Sequence, residues 1–565
     1  MSKEKFELKF NNPLPQGVID ALRAQIEKAL SFLPDSLNEA DGKPFVRLRV
    51  DSEKVGKGYV ITRENADEII SITAANAASL VRGIYAFVEK FCGVRKYTYA
   101  PAVVKKKPPV MPDIIDEKYE PFFEYTETDW LSPHSTEYSF FNGLNGTRYR
   151  RLPDEYGGNV GWISSFAHTF TNEFCSAKKY FKSNPEYFAL RGIKRVKSQL
   201  CLTNPGVYDV VLKEVFDLLK KKHNPDAQLQ IISLTQNDNL FYCTCENCRQ
   251  TDRKYGSHAG SVLEFVNRIA DEVKAAGYDN VALDTFAYRY TRRPPAGITA
   301  RENVIVRLCT IECCFSHPLD DEACAANAEF CKDLLAWSKI CNRIYIWDYC
   351  TNFCNYTGIF PDFGTLQRNM QFFYESGVKG VYEEGNFQME AECEFGELRA
   401  FLISKLMQNP YCDFTALRDE FCRSYYGAGG KYICRFLDII TENAANRHLS
   451  IYEPMSSTLT LSKEQIELCD SLWQKAKSRT DSEEREHVRA SEICWRWWKY
   501  KNRVSEFSSP FTLKKQADRL KKDIADLGVT HLSESGRVKA FFISAAHSHR
   551  THAKTESVIK MLYRR

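Results

Sequence analysis

Between residues 116 and 410 the chain alternates short apolar runs with amphipathic stretches eight times, and no other feature constrains its fold as strongly. The strand-like runs are 122–130 (FFEYTETDW), 161–170, 198–205 (SQLCLTNP), 229–238 (LQIISLTQND), 280–288, 303–312, 343–350 and 378–386. Helical patterning fills 207–222, 260–277, 325–340, 362–377 and 395–408. Regular strand–helix alternation of this length is the pattern of a closed (β/α)8 barrel. An open doubly wound sheet also alternates, but the strand count and the lack of a Gly-rich phosphate loop after the first strand disfavour it. The expected class is therefore α/β, a (β/α)8 TIM barrel at 116–410.

The flanks read differently. In residues 1–115, VRLRV (46–50), GYVITREN (58–65) and DEIISITAA (67–75) alternate like strands, and 77–91 carries a helical stripe of Leu80, Ile84, Phe87 and Val88 that should stop at Gly93. This predicts a small α/β domain, closed off by the Pro- and Lys-rich linker 103–113. Residues 411–565 show helical patterning only and predict an α-helical C-terminal domain.

If the barrel forms, its chemistry belongs at the carboxyl ends of the strands. Those tips hold Asp129, His168, Asn204, Asn237, Asp238, Tyr288, Glu312, Trp347, Asp348, Glu383 and Glu384. Several carboxylates converging on one mouth are what cleavage of a glycosidic bond needs: one stays protonated to serve the leaving oxygen, and another stays ionised beside an oxocarbenium-like centre. Asn237-Asp238 and Glu383-Glu384 are the expected catalytic pairs. Asp129, His168, Tyr288, Glu312, Trp347 and Asp348 are the expected substrate contacts. Neighbours on a strand face opposite ways, so one of each pair turns inward unless the backbone bends. Glu383, beside Val381 and Tyr382, is favoured as the acid and Asp238 as the polarising group, the reverse assignment remaining open. For Asp238 the competing role is a turn-stabilising carboxylate, for Glu383 and Glu384 a solvated rim, and for Asp348 an arginine partner. His168 reads as a pocket residue, since no second His sits at metal-ligand spacing.

Behind the fourth strand, Cys243, Cys245 and Cys248 form a Cys-x-Cys-x-x-Cys cluster. With a fourth ligand from Cys201 or His258 it would hold a structural zinc; otherwise it is three reduced thiols packed under the next helix. No cofactor is expected in catalysis itself.

Net charge is +4, with Lys and Arg scattered among as many acids, which leaves no footprint for nucleic acid. No apolar run approaches the roughly 18 residues of a membrane span. The start, MSKEKFELKF, lacks the apolar segment of a secretion signal, and the cysteines are spread as buried thiols rather than a disulfide frame. A cytoplasmic location is the expectation. Oligomeric state leaves no trace in the sequence.

Three long segments, SLTQNDNLFYCTCENCRQTDRKYGSHAGSVLEFVNRIADEV, DTFAYRYTRRPP and GVYEEGNFQMEAECEFGELRAFLISKLMQNP, occur in order and resemble the bacterial domain-of-unknown-function family 4838, classed as glycoside hydrolase family 163. The N-terminal unit resembles the small α/β domain that precedes the barrel in hexosaminidases and α-glucuronidases. The resemblance implies a retaining endo-β-N-acetylglucosaminidase acting on complex N-glycans, assisted by the substrate's acetamido group, with an oligosaccharide or glycoprotein glycan as partner. It implies catalytic roles for Asn237, Asp238 and Glu383. Two other readings stay open. One is an α-glucuronidase-like enzyme on the same scaffold, for which Arg289, Arg292 and Arg293 would meet a sugar carboxylate. The other is a carbohydrate-binding barrel without catalysis.

Overall fold

The computed structural model describes residues 6–537 apart from 33–45, 67, 105–108, 149–151, 153–158, 387–392, 455–456, 503–509 and 535. Part of the 103–113 linker and the first residue of the 67–75 strand-like run thus lie outside the described residues, as do 538–565 of the C-terminal reading.

The N-terminal unit is a five-stranded sheet in the order Phe6–Phe10, Val46–Val50, Ile70–Ala74, Tyr59–Arg63, Ile115–Tyr119. Helix Ala77–Cys92 lies on it. Asn76 caps that helix by accepting from the Ser79 N–H, and Gly93 ends it at φ +70°, a conformation costly for any residue with a Cβ. The strand Ile115–Tyr119 pairs antiparallel with Tyr59–Arg63. The first sheet therefore extends past residue 115 to Tyr119.

The centre is a parallel barrel of seven strands: β1 Tyr125–Thr128, β2 Val160–Trp162, β3 Leu229–Ser233, β4 Val281–Ala287, β5 Val304–Cys309, β6 Ile344–Tyr349 and β7 Gly380–Glu384. β1 pairs with β7, and the ring runs back through β6, β5, β4 and β3 to β2. The seam between β2 and β1 closes through a parallel bridge from Gly146 to Val160 and the Gly146 N–H on the Thr126 carbonyl. A side chain at Gly146 would strike the Glu127 carboxylate at 2.2 Å, so the seam requires glycine. β3 to β7 are wholly or almost wholly buried, which explains why apolar side chains dominate β3 to β6. Helices α1 Pro205–Lys222, α2 Glu246–Tyr255, α3 Ala259–Ala275, α4 Ala325–Trp337, α5 Leu366–Glu375 and α6 Gly396–Gln408 follow the strands.

The eight-strand expectation needs one correction. Segment 198–205 is not a barrel strand among the described residues. Lys194–Leu200 pairs antiparallel with Phe188–Arg191 as a separate hairpin. Its apolar run followed by a helix copies a barrel unit in sequence, but its hydrogen bonds go to its own neighbour.

Beyond the barrel, helices Phe414–Tyr425, Gly430–Ala444, Lys463–Ser478, Ser482–Lys501 and Pro510–Asp526 pack around buried Trp473, Trp495, Trp497 and Trp498. A short hairpin, His531–Ser533 with Gly536–Arg537, returns to the barrel: the Tyr356 N–H donates to the Leu532 carbonyl and the Glu534 N–H to the Phe353 carbonyl. No helix among the described residues is long and apolar enough to cross a membrane.

Candidate active site

Alternation along the strands decides which side chains reach the barrel interior. On β6 the inward positions are Tyr345 and Trp347, and on β7 they are Tyr382 and Glu384. The Trp347 indole donates to Glu384 Oε2 at 2.6 Å, and the Trp347 and Tyr382 rings meet edge to face at 5.2 Å. The Tyr382 hydroxyl donates to Asp129 Oδ2 at 3.0 Å, and the Gly385 N–H donates to the other oxygen of Asp129. Below them Arg307, fully buried, pairs with Asp284 at 2.6 Å and is enclosed by the rings of Trp162, Phe166, Phe286 and Trp347.

In this setting Glu384 is an acid that keeps its proton. Burial, and next the Asp129 carboxylate, push its pKa up to about 8, while Arg148 and the Trp347 indole pull the other way. Arg148 stacks over Phe166 at 4.3 Å and also meets the Tyr382 ring.

Glu383 is placed differently from the expectation. It sits in register with Asp348 on β6 and Thr128 on β1, on the face away from Tyr382 and Glu384. Its electrostatic neighbours are Asp348 and Asp362, and Asp362 pairs with Arg399 of α6. Burial first, then those two carboxylates, raise its pKa far above the ordinary value. Glu383 and Asp348 are thus a buried acid pair against the helix layer. Asp348 accepts from the Thr310 hydroxyl and the Tyr349 N–H, and burial pushes it up to about 6.

Asp238 stands on the opposite side of the mouth. The Tyr288 hydroxyl donates to its Oδ1 at 2.7 Å and the Arg289 guanidinium lies 3.3 Å from the same oxygen. Arg289 also donates to the Tyr288 hydroxyl at 2.8 Å. Asn237 donates to Thr171, while its side-chain carbonyl is buried with no partner among the described residues. His168 Nδ1 meets the Gln236 carbonyl at 2.7 Å, and its ring packs on Phe286 and Tyr288; burial lowers its pKa, which keeps the ring neutral at pH 7. His168 and Arg289 both hold positive φ, 56° and 52°, the kind of backbone strain that gathers at working sites. The rings of Tyr288, Phe286 and Trp347 join the Asp238 side to the Glu384 side in steps of 6.0 and 5.8 Å.

Of the remaining expected residues, Glu312 is an exposed rim carboxylate held by Arg292 at 2.8 Å. Asn204 caps α1 by accepting from the Gly206 N–H. The structure brings together Glu384, Asp129, Trp347, Tyr288, His168, Asn237 and Asp238, and turns Glu383 and Asp348 away.

A family model for a domain of unknown function, DUF4838, matches residues 98–438. The chain belongs to this family. No curated protein sequence matches the chain. Among solved structures, similar folds include the family 89 glycoside hydrolase from Clostridium perfringens in complex with 2-acetamido-1,2-dideoxynojirmycin, at TM-score 0.52 and 11% identity over 90% of this chain. A doubly substituted form of that enzyme in complex with its substrate GlcNAc-alpha-1,4-galactose matches equally well, at TM-score 0.52 and 11% identity over the same share of this chain. The chain spans 65% of the length of each.

Within the DUF4838 match, the hairpin that replaces the third strand has its own purpose. It carries Cys201 to the Cys-x-Cys-x-x-Cys loop. The sulfurs of Cys201, Cys243, Cys245 and Cys248 all lie within 4.8 Å of one another. Cys201 Sγ is 3.6 Å from Cys245 Sγ and 3.8 Å from Cys248 Sγ. Hydrogen bonds from Cys243 and then Cys248 hold the Cys201 thiol down to about 3 against the effect of burial. His258, the other candidate ligand, is not part of this quartet: its Nδ1 lies 2.6 Å from Asp252 and its ring lies tilted at 3.9 Å from the Tyr242 ring. Four thiols at this spacing suit a tetrahedral zinc-class cation. Metal analysis of the purified protein is expected to lose about one equivalent of zinc in Cys245→Ser; unchanged content would return the cluster to plain reduced thiols.

The sequence reading missed Glu127, Arg148 and Glu534, and gave Tyr382 only as part of the wall beside Glu383. Glu127 accepts from the Tyr125 hydroxyl at 2.7 Å and the Arg148 N–H at 3.0 Å. Glu534 reaches the mouth from the C-terminal hairpin, where burial and then Asp238 raise its pKa. Tyr382 and Glu127 were legible from strand alternation; nothing in sequence marks Arg148 or Glu534.

Proposed function

We propose that this DUF4838 chain is a retaining glycoside hydrolase that cleaves β-linked N-acetylglucosamine in complex N-glycans or related glycans. The observation that carries the reading is Glu384: a carboxyl on the mouth, aligned by Trp347 and protonated up to about pH 8. A general acid at neutral pH needs that combination. The fold shared with an enzyme solved with 2-acetamido sugar ligands supports the sugar class.

In the first step the acetamido oxygen of the substrate attacks the anomeric carbon. The bond to the leaving oxygen breaks as Glu384 gives that oxygen its proton. Asp238, fixed by Tyr288 and Arg289, takes the hydrogen bond of the acetamido N–H and balances the charge that develops on the ring. In the second step the Glu384 carboxylate takes a proton from water, which opens the oxazoline and restores the original anomeric configuration.

The α-glucuronidase-like reading loses its support here. Arg289 is committed to Asp238 and Tyr288, and Arg292 to Glu312, Glu329 and Asp333. Arg293 lines a separate cavity of about 530 Å³ beside Tyr242, Asp252 and His258.

The test is release of free sugars from a complex-type glycoprotein, followed by mass spectrometry. Product ending in N-acetylglucosamine is expected from the wild type. No turnover on any β-N-acetylglucosaminide, with sugar binding retained, would favour the non-catalytic binder. Asp238→Asn is expected to lose about 10²–10³-fold in kcat on natural glycans and on activated aryl glycosides alike, because its role does not depend on the leaving group. A loss confined to natural glycans would make Asp238 the acid instead.

A further inference from the structure

We propose that Cys314, His317, Cys324 and His448 form a second metal site, for a tetrahedral divalent cation of the zinc class, that clamps the loop after β5 to the C-terminal helical domain. The proposal is independent of the glycosidase reading.

Each of the four residues offers one ligand atom, and these atoms all lie within 4.8 Å of one another. Cys314 Sγ is 3.3 Å from His317 Nδ1, and Cys324 Sγ is 3.5 Å from His448 Nδ1. Ligand atoms around a tetrahedral zinc sit about 3.3–3.8 Å apart, given bonds of about 2.0–2.3 Å, so the quartet needs only a small contraction. Two thiols and two imidazoles are the donor set that such a cation prefers over magnesium or calcium. Cys314 and His317 have the Cys-x-x-His spacing of a chelating pair.

The surroundings hold these side chains in place as a metal's outer shell does. His317 Nε2 lies 3.1 Å from the Ala445 carbonyl. A proton on that nitrogen leaves Nδ1 free to ligate. The Leu449 N–H donates to Cys314 Sγ at 3.4 Å, and the Ser316 hydroxyl lies 3.3 Å from it. Fully buried Asn327, in the first turn of α4, accepts from the Cys314 N–H and donates to the carbonyls of Cys314, His317 and Pro318.

The position gives the site a use. His448 leads directly into Leu449–Glu453, the segment that braces the mouth. Phe315 donates its N–H to the Leu449 carbonyl, Phe353 to the Ile451 carbonyl, and the Asn352 amide to the Glu453 carbonyl. A cation here would fix the register of the helical domain against the β5 and β6 loops.

The experiment uses the full chain with Cys245→Ser as background, so that the other cluster is silent, loaded with zinc or cobalt(II) alone. Elemental analysis is expected to show about one equivalent of zinc, lost in the added His448→Ala. The cobalt(II) form should show a thiolate charge-transfer band consistent with two sulfurs. Adding His448→Cys instead keeps four ligands, so it should retain the metal and strengthen that band by about half. This second variant guards against a fold lost through His448→Ala. Metal content indifferent to His448→Ala overturns the proposal. So does a band unchanged by His448→Cys, or a Cys314–Cys324 disulfide with no bound zinc in peptide mapping.

Discussion

Glu384→Gln is expected to lose about 10²–10⁴-fold in kcat/KM on a natural glycan, the usual contribution of a positioned acid. On a nitrophenyl glycoside the same variant is expected to stay within about tenfold of wild type, a barrier change near 1.4 kcal/mol. The asymmetry follows from the leaving group. A sugar alkoxide cannot depart without a proton, whereas a nitrophenolate can. Glutamine preserves the shape and the bond from the Trp347 indole but has no proton to give. The pH profile supplies an independent check. Glu384 serves only while protonated, and its pKa is raised to about 8, so wild-type activity on the natural glycan should fall as pH rises through that value. On the aryl substrate, whose departure needs no proton, that basic limb should be absent in wild type and variant alike. Equal losses on both substrates would remove Glu384 from the acid role. Glu383→Gln is the control: its carboxyl faces Asp348 and Asp362 behind the strand, so its loss should not depend on the leaving group.

Why Glu384 rather than Glu383 turns inward was half legible in the sequence. Period-two alternation says that one of the two must face the interior. It does not say which, because that depends on the phase of β7 against its neighbours. Register settles it: Trp347 pairs with Tyr382 and Tyr349 with Glu384, which puts Trp347, Tyr382 and Glu384 among the interior rings. The same limit explains the third strand. SQLCLTNP is apolar, ends in a polar tip and precedes a helix, so local pattern cannot separate it from a barrel strand. Its partner, Phe188–Arg191, lies just upstream and was not marked as a strand by alternation. By contrast β3 to β6 are buried on both faces and announced themselves as predominantly apolar runs. Asn237, Asp238, Trp347 and Tyr288 were readable because they end such runs. Glu534 was not, since a residue far beyond the barrel reaches the mouth only through tertiary packing of the last hairpin.

Arg399→Met is expected to destabilise the protein by about 3–5 kcal/mol, the cost of stranding buried charge by removing its partner. Arg399 is fully buried in α6 and ties three elements together. Its guanidinium donates to Glu394 at 2.7 and 3.0 Å, to Asp362, and to the Phe360 carbonyl, while its plane lies 4.1 Å over the Phe363 ring. Glu394 in turn accepts from the Phe360 N–H at 2.9 Å. The clamp also holds Glu394 and Phe395 at φ 59° and 62°, a strained entry into the helix that the contacts must sustain. Lysine should not rescue it, since one ammonium cannot replace a planar fork shared by two carboxylates. The pH dependence has a definite sign. Burial raises both acids, Glu394 to about 7, even with Arg399 present. Without the guanidinium the folded values rise further, whereas the unfolded values stay near the ordinary carboxylate range. The folded state then holds more protons than the unfolded state between those values, so stability falls as pH rises through them and recovers on acidification. Urea midpoints for Arg399→Met should therefore lie much closer to wild type at pH 5 than at pH 8. Adding Asp362→Asn and Glu394→Gln should recover most of the loss at pH 8. A deficit equal at both pH values, and untouched by neutralising the two acids, would mean that Arg399 contributes through packing on Phe363 rather than through charge.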